Sequence, residues 1–214
     1  MKILFYGYRN WAIEIFNNLD SDRKCLINFD DYSVIEKIEP DLIFFVGWSK
    51  IIPEDIIKSF KCFCLHPSKL PLYRGGSPLQ HQIISGVKES AVSIFIMNEE
   101  LDGGDIVYQT ELSLEGNLDT IFKQIELIGS DLINRIISDV SNNRLNFYSQ
   151  DLTDSKVFKR RKPSESEITI DEIIKNEPLY LYNKVRALND PYPNAYIKCK
   201  DGKKLFITQT KYEE

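Results

Sequence analysis

Apolar positions recur in two rhythms along the first two thirds of the chain, and the two rhythms alternate. The opening run Lys2-Ile-Leu-Phe-Tyr-Gly7 is β-rich and ends at a glycine, and Trp11, Ile13, Ile15, Phe16 and Leu19 then recur at helical spacing. Cys25-Leu-Ile-Asn-Phe29 repeats the strand pattern, Val34, Ile35 and Ile38 mark a short helix, and Leu42-Ile-Phe-Phe-Val46 is apolar on both faces, as a strand inside a parallel sheet must be. Pro53 suits the first turn of a helix carrying Ile56, Ile57 and Phe60, and Cys62 to Leu65 supplies a fourth strand. The βαβαβαβ order predicts a Rossmann-like α/β core with a mostly parallel sheet.

His66 to Pro78 follows, a stretch with three prolines and two glycines, too rich in breakers for helix or sheet. Long loops inside compact domains are often functional. Ala91 to Ile96 and Ile106 to Leu112 read as two further strands flanking the turn Leu101-Asp-Gly-Gly-Asp105. The longest helix comes next, its stripe running through Leu118, Ile121, Phe122, Ile125, Leu132 and Ile136 to Val140. From about Gln150 the chain turns charged and poor in apolar residues. The tail offers a short helix through Leu181, Val185 and Leu188, then strands Ala195 to Cys199 and Leu205 to Thr208 joined at Asp201-Gly202, a strong hairpin signal. The pattern divides the chain into a Rossmann-like catalytic core over 1–149, a connector over 150–177 and a small C-terminal helix and β-hairpin appendage over 178–214.

Charge and composition narrow the function classes. With 27 basic and 32 acidic residues the net charge is −5, and no basic block is placed to track a phosphate backbone, so nucleic acid is not an expected partner. The longest apolar run, Leu42 to Val46, is far below the ~20 residues of a membrane helix, and Met1 leads straight into a strand. A cytoplasmic protein with no membrane association is expected. Cys25, Cys62, Cys64 and Cys199 are too few and too scattered for a disulfide framework, so reduced thiols are expected.

His66 begins the long loop at the carboxyl end of a buried strand, the edge at which open α/β sheets bind ligands; a locally bonded loop histidine is the alternative. Strand alternation points Cys62, Cys64 and His66 the same way, so Cys64 and His66 share a face. Zinc would need further ligands, and no second pair stands at zinc-like spacing, so no metal is expected. A Cys–His nucleophile pair also fits the pattern. Asp102-Gly-Gly-Asp105 reads as a tight turn bearing two carboxylates, which an ordinary structural turn would equally satisfy. Gly75-Gly76 is not followed by Lys-Ser/Thr, and Gly7 begins no GxGxxG, so a dinucleotide cofactor is not indicated.

Taken in order, Val46-Gly-Trp, Ile52-Pro53, His66-Pro-Ser-Lys-Leu-Pro71, Tyr73-Arg-Gly-Gly-Ser-Pro78, Gly86 and Leu101-Asp-Gly-Gly-Asp-Ile106 resemble the formyltransferases that use N10-formyltetrahydrofolate. That family includes methionyl-tRNA formyltransferase and the sugar N-formyltransferases. The resemblance is strongest over roughly residues 40 to 115. The family carries an Asn-x-His pair and an aspartate heading an Asp-x-Gly-Asp turn; His66 and Asp102 match, and Cys64 stands in the place of the asparagine.

The resemblance implies His66, Asp102 and Cys64 as catalytic residues, with His66 taking the amine proton, Asp102 orienting the imidazole and Cys64 bordering the formyl oxygen as a weaker donor than an amide. It implies a folate pocket from Trp48, Ser68, Leu70, Pro71 and Asp105, and N10-formyltetrahydrofolate as co-substrate. Phe158-Lys-Arg-Arg-Lys-Pro163, Tyr182-Asn-Lys-Val-Arg-Ala-Leu188 and Pro191-Tyr-Pro-Asn-Ala195 are similar to the tails of the sugar enzymes. Methionyl-tRNA formyltransferase carries a larger C-terminal barrel, and no counterpart to it is expected here. The expected acceptor is therefore a nucleotide-linked 4-amino-4,6-dideoxy sugar for surface glycans, with Arg9, Lys69, Tyr73 and Arg74 as contacts and Arg9, Lys69 and Arg74 as candidates for the diphosphate. The rival readings are a formyltetrahydrofolate hydrolase and a non-catalytic protein binding folate and sugar nucleotide. The C-terminal hairpin is a candidate homodimer contact, since a two-stranded ribbon is marginal alone.

Overall fold

The computed structural model describes residues 1–213. Its centre is a six-stranded sheet in the order β2-β1-β3-β4-β6-β7, formed by β1 (Ile3–Tyr6), β2 (Lys24–Ile27), β3 (Leu42–Val46), β4 (Cys62–His66), β6 (Glu89–Ile96) and β7 (Ile106–Ser113). The first four strands are parallel, and β6 and β7 run antiparallel. The fold is thus α/β with a mostly parallel sheet.

Strand alternation sorts the apolar side chains into two layers. Ile3, Phe5, Phe44, Val46, Phe63 and Leu65 face one side, where α1 (Asn10–Asn17) and the 24-residue α5 (Leu118–Ser141) bury Trp11, Ile15, Ile121, Ile125 and Ile133 against them. Leu4, Tyr6, Ile43, Phe45 and Cys62 face the other side, under Ile35 of α2 (Ser33–Ile38) and Ile56 of α3 (Glu54–Ser59). Because β3 is sandwiched, all five of its residues are buried, which is why its sequence shows no alternation. α5 begins where Asn117 accepts from the Thr120 amide at 2.9 Å.

Elements absent from the sequence-level reading lie around the long loop. Arg74–Gly75 forms a two-residue strand, β5, pairing in parallel with β8 (Val157–Phe158), and α4 (Pro78–Ile84) starts at the proline where the loop was expected to end. Residues 150–177 are not bare connector: β8 sits there with a 3-10 turn (Pro163–Ser166) and α6 (Ile170–Lys175). In the tail α7 (Pro178–Ala187) packs on α4, and β9 (Ala195–Lys198) pairs antiparallel with β10 (Lys204–Ile207). Ile168, Val185, Leu188 and Ala195 form a separate small core there.

Candidate active site

β4 delivers His66 at its carboxyl end, 95% buried, with Cys64 two residues earlier on the same face. β6 then runs back past β4, and the segment after it returns over that face to set Asp102 beside His66. The Asp102 carboxylate Oδ2 lies 3.5 Å from His66 Nδ1, with only 13% of the aspartate side chain exposed. The other ring nitrogen, Nε2, lies 2.9 Å from the Tyr73 carbonyl oxygen. A carbonyl only accepts, so Nε2 carries the hydrogen, and Nδ1 is the nitrogen left to take a proton in front of the carboxylate.

The turn bearing Asp102 is held from several sides. Asp102 itself adopts φ +49°, and its Oδ2 accepts the Gly75 amide at 2.7 Å. Gly104 packs so closely that a β-carbon there would meet the Ile96 carbonyl oxygen at 1.8 Å. The Gln150 amide donates to the carbonyls of Asp102 (3.1 Å) and Gly104 (2.6 Å). Gln150 was not anticipated, since a lone glutamine at the edge of a polar stretch carries no sequence signal.

Arg74 needs a correction. It was expected at a diphosphate, but it is 97% buried, donating through Nε to the Leu101 carbonyl (2.8 Å) and through its terminal nitrogens to Ser155 Oγ (2.8 Å), the Leu101 carbonyl (2.6 Å) and Glu100. It ties the loop after β4 to the Asp102 turn. A planar guanidinium fork suits that task, and four of its five N–H donors are spent on it.

Other candidates divide similarly. Ser68 and Leu70 are buried inside their own loop, where Ser68 Oγ donates to the Leu72 carbonyl (2.7 Å) and the Leu70 carbonyl accepts from Gln109 (3.1 Å); Leu70–Pro71 is a cis peptide. Tyr73, at φ +56°, stacks on Phe158 with centroids 4.9 Å apart. Lys69 is exposed and Asp105 half-buried. Trp48 is half-buried, donates to the Tyr32 hydroxyl at 3.0 Å, and shares its apolar layer with Cys64 and Met97. Arg9 lies apart from the loop, its guanidinium over the rings of Tyr8 (5.4 Å) and Tyr192 (5.6 Å).

Burial, reinforced by the Asp102 carboxylate, pushes the Cys64 thiol well above its ordinary range, and burial alone takes Cys62 up to about 12. The Cys64 sulfur has its contact at the Leu65 carbonyl, 3.8 Å away, while both His66 nitrogens are directed elsewhere. The site is an acid–base pair flanked by a protonated thiol. A Cys–His nucleophile pair is not what the geometry builds. Among the described residues no group of three or more His, Cys, Asp or Glu side chains is arranged to hold a metal ion.

A buried imidazole thus faces a carboxylate at the carboxyl edge of an α/β sheet, the edge at which such sheets hold ligands. The formyl transferase family model matches residues 12–123, about half of the chain, and the chain belongs to that family. Methionyl-tRNA formyltransferase of Lysinibacillus sphaericus is 33% identical over 177 residues, covering 81% of this chain and 55% of that protein. The chain thus spans about half the length of the curated relatives it matches. Among solved structures, methionyl-tRNA formyltransferase from Clostridium thermocellum superposes with a TM-score of 0.80 at 29% identity, covering 97% of both chains. A sugar N-formyltransferase from a Shewanella species superposes at 0.78 over 100% of this chain and 99% of that one, at 18% identity, which speaks to fold alone. No helix among the described residues is long and apolar enough to cross a membrane.

Proposed function

We propose that the protein transfers a formyl group from N10-formyltetrahydrofolate to the amine of a nucleotide-linked 4-amino-4,6-dideoxy sugar. The observation that carries the chemistry is the His66–Asp102 pair, within a family that uses formyl-tetrahydrofolate. The amine nitrogen bonds to the formyl carbon, and the bond from that carbon to the folate nitrogen breaks. His66 Nδ1 takes the proton that the amine loses and returns it to the departing folate nitrogen. Asp102 stabilises the imidazolium between those events. The Cys64 thiol borders the formyl oxygen as a weak donor.

The residues present suit the folate. Trp48, Cys64 and Met97 lie on one apolar layer, adjoining a turn rich in backbone polar groups. The Gln150 Oε1 acceptor, beside that turn, is buried without a partner among the described residues, an open position for a heterocyclic N–H.

The net charge of −5 and the tail segments Phe158 to Pro163 and Pro191 to Ala195 support a sugar nucleotide as acceptor. Methionyl-tRNA is the second reading, favoured by the 33% identity to the Lysinibacillus enzyme. Incubation with N10-formyltetrahydrofolate and either UDP-, dTDP- and GDP-linked 4-amino sugars or charged initiator tRNA, followed by mass analysis, separates them. A formylated sugar that disappears with His66→Ala supports the proposal. Formylated methionyl-tRNA alone replaces the acceptor, and formate release without any acceptor makes the protein a hydrolase.

A further inference from the structure

His66 is one member of a polar row that crosses the sheet. It pairs in register with Ser93 on β6, and Ser93 pairs with Gln109 on β7. Cross-strand partners share a face, so the three side chains stand in line on the side of the sheet that the loop after β4 folds over. Ser93 is fully buried, while its neighbours Val92 and Ile94 point into the opposite core layer. A hydroxyl has one hydrogen to give and two lone pairs to offer, and Ser93 uses all three. Its Oγ donates to the Ser68 carbonyl (2.6 Å) and accepts from the Gln109 side-chain amide (2.9 Å) and the Leu70 backbone amide (3.4 Å). Gln109 also donates to the Leu70 carbonyl (3.1 Å).

These bonds seat the part of the loop that returns to the histidine. Ser68 Oγ donates to the Leu72 carbonyl (2.7 Å), the Leu72 amide donates to the Lys69 carbonyl (2.9 Å), and the next residue is Tyr73, whose carbonyl oxygen lies 2.9 Å from His66 Nε2. That carbonyl decides what the ring can do. A neutral imidazole has one N–H, and His66 has an acceptor at each nitrogen: the Tyr73 carbonyl at 2.9 Å and the Asp102 carboxylate at 3.5 Å. A carboxylate is the stronger acceptor, so the hydrogen stays on Nε2, and Nδ1 stays open as a base, only while Tyr73 is held the closer of the two. The loop position is therefore a condition of the chemistry.

We propose that Ser93 is a positioning residue for formyl transfer: through the Ser68 carbonyl it seats the loop so that the Tyr73 carbonyl captures the Nε2 hydrogen and His66 Nδ1 is left to take the amine proton, with Gln109 as its support. The proposal rests on the reading of His66 Nδ1 as the base. Gln82, buried in α4, holds the other side of the loop through the Pro67 carbonyl (2.9 Å), so loss of the Ser93 hydroxyl displaces the loop without unravelling it.

The test compares Ser93→Ala, Ser93→Thr and Gln109→Leu with the parent, by imidazole nitrogen NMR at alkaline pH, assigned with His66→Gln, and by formyl-transfer kinetics. In Ser93→Ala the hydrogen is expected on Nδ1, with kcat down about 10- to 100-fold, the scale of a misplaced reacting geometry, and KM for N10-formyltetrahydrofolate within ~3-fold. Threonine keeps the hydroxyl and should restore both readouts. Gln109→Leu, on an exposed position of β7, removes the two supporting bonds without opening the core. It should give the same changes in smaller measure, and it decides alone if Ser93→Ala does not fold. Folded variants that keep the Nε2 hydrogen, or that move it at unchanged kcat, overturn the proposal whatever their unfolding temperature. The tautomer is read without substrate. Its dependence on Ser93 in a protein that formylates no acceptor would keep the positioning and sink the formyl-transfer reading, and formyl transfer with an unmoved tautomer would do the reverse.

Discussion

Asp102→Asn is the most discriminating single change, because it separates the two tasks of the aspartate. An asparagine oxygen still accepts the Gly75 amide, which now lies 2.7 Å from Oδ2, so the turn stays closed. What disappears is the negative charge 3.5 Å from His66 Nδ1. At that separation, with an effective dielectric of about 20, the interaction with an imidazolium is worth about 5 kcal/mol, an upper value because the neighbourhood relaxes. Taking a half to three quarters of it, at ~1.4 kcal/mol per decade, kcat should fall about 10²- to 10³-fold. The assay is release of tetrahydrofolate together with the mass of the formylated acceptor, at saturating concentrations of both substrates. Asp102→Ala also abandons the Gly75 amide, and should lose activity at least as far with a lower unfolding temperature. A kcat for Asp102→Asn within ~5-fold of the parent, too small for loss of a buried charge pair, would refute the role given to Asp102.

Cys64→Asn installs an amide at the formyl oxygen and should raise kcat about 10-fold or more in an active parent, the scale of a gained oxyanion donor; unchanged or reduced turnover in a folded variant counts against the place given to Cys64. The raised Cys64 and Cys62 thiol pKa values mean a smaller thiolate fraction at any given pH, so iodoacetamide at pH 8 should label the exposed Cys199 first and leave both inner thiols unmodified. Peptide mass mapping that finds Cys64 alkylated ahead of Cys199 would restore a nucleophilic cysteine. Gly104→Ala forces a β-carbon to within 1.8 Å of the Ile96 carbonyl, and should cost about 2–4 kcal/mol in urea unfolding with loss of activity. Arg74→Lys should behave as a loop defect, lowering stability by about 1–3 kcal/mol without changing the affinity for nucleoside diphosphates, because one ammonium cannot reproduce the fork that reaches Leu101, Ser155 and Glu100.

The sheet was legible because burial imposes simple rules on it. Continuous apolar residues at 42–46 mark a strand covered on both faces, and the alternation of Cys62, Cys64 and His66 puts the site on one side of β4. The elements that escaped obey weaker rules. α4 has Leu79 and Ile83 at helical spacing, but seven residues that begin at a proline and follow two more prolines and two glycines look like more loop. The two-residue β5 and β8 pair across 83 positions of sequence, and no local pattern reports such a contact.

Arginine shows the limit most clearly, because its residue type is compatible with two opposite fates. Arg74 sits in a glycine-rich loop beside the histidine, where a cation suggests an anionic ligand, yet packing takes it inside and spends four of its donors on the Leu101 carbonyl, a hydroxyl and a carboxylate of the same chain. Arg160 belongs to a run of four basic residues that reads as a solvated surface, yet its backbone is pressed against Gly76 of the loop after β4. The difference lies in what surrounds each guanidinium. The Leu101 carbonyl, the Ser155 hydroxyl and the Glu100 carboxylate make Arg74 part of the scaffold, whereas Arg9 rests over the aromatic faces of Tyr8 and Tyr192.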